Sequence, residues 1–146
     1  MTPPPAPDTH RAESQENVEI VRRIVDSFNA REIDEALQCV AEGFEMDWSS
    51  SIGALKGVYR GRGGAGTLWT LLLDVCTMVH WDPVEVIDVD DSRVIVVNRV
   101  QMWGRGTYVD DVEVQLWTIT GGKAERVKLY RSKSEALAAA GCGSGG

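Results

Sequence analysis

The sequence predicts a single α+β domain, and three observations carry that prediction. The first is order: helix, helix, strand and helix patterns come before a run of four strand patterns. The second is the stretch Val94–Trp103, VIVVNRVQMW. Its alternation places Ile95, Val97, Arg99, Gln101 and Trp103 on one face and Val94, Val96, Asn98, Val100 and Met102 on the other. Both faces are mainly apolar, so the sheet is expected to be covered on both sides. The third is the link Gly104-Arg105-Gly106-Thr107, whose glycines suit a tight hairpin into a second long strand, Tyr108–Thr120.

The elements follow in chain order. Residues 1–13 are proline-rich and polar and read as a disordered tail. Ser14 offers an N-cap. Val18, Val21, Ile24, Val25 and Phe28 recur at three- and four-residue spacing, so Gln15–Asn29 is expected as an amphipathic helix. Ile33, Ala36, Leu37 and Val40 mark a second helix that should stop near Gly43. Phe44–Ser49 alternates as a short strand, and Ser50–Gly57 reads as a loop. Val58–Gly66 is too rich in glycine for regular structure before its end. It lacks the lysine and hydroxyl residue of a phosphate loop. A third helix is expected from about Ala65, with Leu68, Leu72, Val75 and Cys76 as its buried stripe, widened by Trp69 and Leu73. Val79–Val89 carries Pro83, which belongs at a sheet edge or a bulge. After the central hairpin, Gly121-Gly122 turns into a last strand, Ala124–Tyr130. Ser132 and Glu135 form a capping box for a short helix that stops at Gly141. Residues 14–141 thus form one domain, and residues 142–146 a flexible glycine-rich tail.

Composition narrows the function classes. A net charge of -7 with no basic cluster argues against nucleic acid or an anionic membrane surface as partner. No run of about 18 apolar residues exists for a membrane span. The three cysteines are widely spaced and odd in number, which fits neither a disulfide framework nor a metal site. No metal and no cofactor is expected, and a reduced cytoplasmic setting is the default. Five tryptophans, Trp48, Trp69, Trp81, Trp103 and Trp117, are many for this length, and large aromatics line pockets as well as cores. Arg99 and Gln101 on an otherwise apolar strand face suggest a lined cavity, or else reach out at the sheet rim. His80 begins a strand beside Trp81 and Asp82 and reads as a surface histidine. Glu113, Gln115 and Trp117 share one face of their strand, so Glu113 lies near the pocket mouth if that face is the pocket.

Three stretches together resemble a known family: EGFEMDWSSSIGALKGVYRGRGG, VEVIDVDDSRVIVVNRV and VQLWTITGGKAERVKLYRSKSEALAAAG. In order and spacing they resemble the SnoaL-like branch of the NTF2-like superfamily. The resemblance covers roughly residues 16–141. It implies a cone: a curved, mainly antiparallel sheet with N-terminal helices packed on its concave face around a pocket. It also implies a small hydrophobic ligand of polyketide, steroid or terpenoid type, and a homodimer through the outer sheet face. That superfamily holds ketosteroid isomerases, polyketide cyclases, limonene-epoxide hydrolases, scytalone dehydratases and non-catalytic binding modules.

Carried over residue by residue, the resemblance is partial. Asp47 stands where ketosteroid isomerases hold their proton-abstracting carboxylate. Their oxyanion tyrosine falls near Ile24 and their buried acid near Gln115, which retains a donor amide. Arg99 matches the arginine of the epoxide hydrolases, but their acids fall at Gln101 and Leu129. Asp47 and Arg99 are therefore the expected catalytic pair. Trp48, Trp69, Gln101, Trp103, Gln115 and Trp117 are the expected substrate-binding set. Enzymatic acid–base chemistry without a cofactor and plain ligand binding both remain open. The face bearing Val94, Val96, Val100 and Met102 is the expected dimer surface.

Overall fold

The computed structural model describes residues 7–50, 56–104 and 106–141, with residues 7–14 described in their backbone course. Helix α1 spans Pro7–Asn29 and α2 spans Ile33–Leu37. Strands β1 (Val40–Asp47) and β2 (Val58–Arg60) lead to helix α3, Gly61–Val75. Strands β3 (Met78–Asp88), β4 (Arg93–Gly104), β5 (Thr107–Thr120) and β6 (Lys123–Tyr130) follow, then α4, Lys133–Ala139. The strands form one curved sheet in the order β2-β1-β6-β5-β4-β3, in which β1 and β6 run parallel and every other pair antiparallel.

Helix α1 begins at Pro7, earlier than the expected Gln15. Alanine and glutamate propagate a helix well. Two asparagines fix the helix to the sheet. Asn17 donates to the Asp91 carbonyl at 2.6 Å. Asn29 donates to the Trp81 carbonyl at 2.7 Å and accepts from the Trp81 N–H at 2.8 Å. Phe28 stacks on Trp81 with centroids 3.8 Å apart.

The second helix is shorter than its pattern suggested. Val40 leaves it to pair with Ala124, whose N–H donates to the Cys39 carbonyl at 2.9 Å. Gly43 lies inside β1, where the register shifts between Val40 and Glu45, and is not a helix stop. The glycine-rich stretch also departs from expectation. Val58–Arg60 pairs with Asp47–Glu45, and α3 starts at Gly61. Glycine is what lets this helix start crowd its neighbours. A Cβ on Gly64 would lie 3.3 Å from the Tyr59 backbone, and one on Gly66 3.1 Å from Leu37 Cδ1.

β3 is an edge strand, and its register shifts at Pro83, where the chain cannot donate to the ladder. Ser132 accepts from the Glu135 N–H at 3.1 Å while Glu135 accepts from the Arg131 N–H at 3.2 Å, the capping box expected for α4.

The main core lies between α1, α3 and one face of the sheet. Val94, Val96 and Val100 belong to it, each no more than 2% exposed, so the face expected to form a dimer is the packed interior. On the opposite face Ile95 and Val97 join Val114, Leu116 and α4 in a second, smaller cluster. Farther along that outer face, past α4, come Arg99, Gln101 and Trp103. The alternation was read correctly, but the two faces hold the reverse of their expected roles.

Candidate functional site

The interior face of β5 carries Glu113, Gln115 and Trp117 at alternate positions. Asn98 of β4 stands opposite Glu113, and Val96 opposite Gln115. Gln115 and Asn98 are completely buried, and Trp117 is 1% exposed against Phe44. The Trp117 indole Nε1 donates to Gln115 Oε1 at 3.0 Å, and Asn98 Nδ2 donates to the same oxygen at 3.0 Å. Among the described residues three buried side-chain polar atoms make no hydrogen bond: Gln115 Nε2, Asn98 Oδ1 and, on α3, Trp69 Nε1. An unmade buried hydrogen bond costs about 1–3 kcal/mol, so these atoms are polar positions in the interior that a water or a ligand atom would satisfy.

Glu113 stands at the open end of this polar strip. It lines a cleft of 250 Å³ together with Ser50, Asp111, Val112, Leu129, Tyr130 and Arg131. Burial, reinforced by the nearby charge of Asp111, pushes its carboxyl up to about 7. The Gln115 amide lies near enough to restrain that rise without making a well-formed hydrogen bond. A carboxyl that titrates near neutrality can both take and give a proton at ordinary pH. An amide N–H beside it can stabilise a developing oxyanion.

The structure does not bring the expected catalytic pair together. Asp47 pairs in register with Lys128 on the outer face of the sheet, away from the α1 core. Its carboxylate accepts from the Ser49 N–H at 3.0 Å and the Ser49 hydroxyl at 2.5 Å. Arg126 Nη2 lies 3.4 Å away and Lys128 Nζ 3.9 Å. Burial alone would raise its pKa, but the Ser49 hydrogen bonds and the charges of Lys128 and Arg126 outweigh it and hold the carboxyl below its usual value. A carboxylate so held is a poor base. Arg99 lies on the same outer face, half exposed, in a bidentate pair with Asp110 at 2.9 and 2.7 Å. Gln101 donates to the Tyr108 hydroxyl at 3.0 Å, and Trp103 lies tilted against the Tyr108 ring in the open, 46% exposed. None of these three residues faces the α1 core, which occupies the other side of their strand.

Of the remaining expected residues, Trp48, Trp69, Gln115 and Trp117 do face the interior. Trp69 meets Phe28 and Phe44 there. His80 is exposed. Asn98 was not singled out, although an asparagine in the middle of an apolar strand face was the available signal. Among the described residues no three of His, Cys, Asp and Glu group as a metal site requires, and no helix is long and apolar enough to cross a membrane.

No protein-family model matches the sequence, and no curated protein does. Solved structures do match. Bal32a, from a soil-derived mobile gene cassette, is similar with a TM-score of 0.76 and 18% identity, over 81% of this chain and 90% of that one. TerC, co-crystallised with polyporic acid, is similar with a TM-score of 0.70 and 22% identity, over 86% and 98%. An NTF2-like protein of Burkholderia xenovorans LB400 is similar with a TM-score of 0.67 and 24% identity, over 86% and 95%. At these identities the likeness is one of fold.

Proposed function

Starting from an NTF2-like fold closed over a buried amide pair and one carboxyl that titrates near neutrality, we propose that this chain is a SnoaL-like pocket protein. Its ligand is a small, mainly apolar molecule of polyketide, steroid or terpenoid type with at least one oxygen to hydrogen-bond. Its chemistry is cofactor-independent acid–base catalysis of isomerase, cyclase or lyase type. Glu113 takes the proton-transfer role that the sequence suggested for Asp47. The observation that carries this reading is the strip Glu113–Gln115–Asn98: a raised carboxyl at a cleft, with unpaired amide atoms directly behind it.

A second reading has an observation of its own. Asp47 and Arg99, the residues that catalytic relatives would use, are both committed to ion pairs on the outer face. That favours a module that binds its ligand without changing it. Titrating tryptophan fluorescence with apolar ketones, and assaying turnover in wild type, Glu113→Gln and Asp47→Asn, separates the two. Turnover lost in Glu113→Gln and kept in Asp47→Asn supports the enzyme. Saturable binding with no turnover in any of the three supports the module. Absence of saturable binding refutes both.

The same reading includes a homodimer through the outer sheet face. Trp103, Tyr108 and Val112 stand 46%, 42% and 52% exposed there, around the Arg99–Asp110 pair. It also includes a reducing, cytoplasmic setting, in keeping with the free thiols of Cys39 and Cys76.

A further inference from the structure

Helix α2 ends at Leu37, and the carbonyls just past its end must find donors outside the helix. Two cations from distant parts of the chain supply them. Lys123 Nζ donates to the Gln38 carbonyl, and Arg62 Nε donates to the Val40 carbonyl at 3.1 Å. Packing brings both there. A Cβ on Gly66 would lie 3.1 Å from Leu37 Cδ1, so the missing side chain lets the first turns of α3, with Arg62, close onto the end of α2. The Ala124 N–H donates to the Cys39 carbonyl at 2.9 Å, which sets Lys123 beside Gln38.

Each cation is held in place and only partly used. An ammonium has three donors and a guanidinium five, and here one of each goes to an uncharged carbonyl. Arg60, Arg93, Arg99, Arg126, Lys128 and Lys133 all pair with carboxylates. Among the described residues Arg62 and Lys123 form no ion pair, although the chain carries a net charge of -7. Both line one groove of 310 Å³ with Asp34, Leu37 and Gln38. The length of β6, about 23 Å, separates this groove at its start from the Glu113 cleft at its end.

The lining specifies the ligand. Two cations against the one carboxylate of Asp34 leave a single positive charge, which matches a monoanion better than a doubly charged phosphate monoester. Arg62 spends its Nε, and its two Nη groups remain to take the two oxygens of a carboxylate. Leu37, half-buried against the core, supplies an apolar wall beside them. We propose that this groove is a second ligand site, independent of the Glu113 cleft, for a small organic carboxylate with an apolar body.

The test titrates the full, isotopically labelled chain at constant ionic strength with sodium benzoate and with benzamide, a neutral probe of nearly equal shape, and follows the backbone amide shifts by NMR. Benzoate should move the amides of Gln38, Arg62 and Lys123 to saturation. It should bind about tenfold more tightly than benzamide, the product of two exposed charge contacts of about threefold each. Arg62→Gln and Lys123→Gln should each lower benzoate affinity about threefold and leave benzamide unchanged. Asp34→Asn removes the competing carboxylate and should raise benzoate affinity about threefold, a gain that a misfolded protein does not give. Inorganic phosphate at neutral pH should bind no more tightly than benzoate. Equal affinity for benzoate and benzamide overturns the site, as does a benzoate affinity that none of the three substitutions changes. Benzoate shifts that saturate at Glu113 and Leu129 and not at Lys123 also overturn it, and leave the cleft as the place that binds. Tighter binding of phosphate than of benzoate overturns the carboxylate assignment.

Discussion

Replacing Glu113 by glutamine tests the centre of the candidate site through stability alone, with no substrate needed. In the unfolded chain this carboxyl loses its proton near 4.5; in the folded chain it does so near 7. Between those values the folded state holds more proton than the unfolded state. Folding stability attributable to the protonated carboxyl is therefore fully present below about 4.5 and is lost as pH rises through about 7. At 1.36 kcal/mol for each pH unit separating the two values, the ceiling is ~3 kcal/mol, and the partial exposure of Glu113 brings the expected loss to ~2 kcal/mol. Glutamine has the same shape and no charge to desolvate. The assay is urea denaturation of both proteins at steps from pH 4.5 to pH 8. Wild type should weaken across that window relative to Glu113→Gln, by ~2 kcal/mol in total. Asp47, Asp90 and Asp110, whose pKa values are lowered, act below this window. Parallel profiles for the two proteins would refute the raised carboxyl and, with it, the proton-transfer role.

Asp47→Asn should cost ~1–2 kcal/mol of stability at pH 7, because it weakens the charged contacts with Ser49, Arg126 and Lys128. In wild type that contribution is present above the ordinary Asp value and fades as pH falls through the lower folded value, which denaturation at pH 7 and pH 3 would show. Val112→Asp, on the outer face, should leave a folded protein and lower its mass in sedimentation from dimer toward monomer. Val96→Asp, on the completely buried side of β4, places an unpaired charge in the core and should abolish folding, as circular dichroism reports. Ser132→Ala removes the cap of α4 and should cost ~1 kcal/mol by chemical denaturation without altering ligand binding.

Much of the architecture was legible in the chain. The α1 stripe of Val21, Ile24, Val25 and Phe28, the central hairpin, the irregularity at Pro83 and the capping box at Ser132 are local signals, and local physics suffices for them. The errors fell where a distant partner overrode the local pattern. Val40 continued a helical period but was taken into the sheet by Ala124. The glycines after Tyr59 read as loop but open a helix, because their missing Cβ atoms admit Tyr59 and Leu37.

The site shows the same division. The sequence by itself determined which residues share a strand face: Arg99 with Gln101 and Trp103, Asn98 with Val96 and Val100, Glu113 with Gln115 and Trp117. Alternation is a property of the extended backbone and needs no other element. It could not determine which face is inside, since both faces of β4 carry enough apolar surface to be covered. That was decided when α1 and α3 packed over Val96 and the much shorter α4 covered only Ile95 and Val97. One face became a core that holds Asn98, Gln115 and the approach to Glu113. The other was left with Arg99 and Trp103 in the open, and Asp47 went with it. Only the packing of the helices left Glu113 on the inner face of its strand and Asp47 on the outer one.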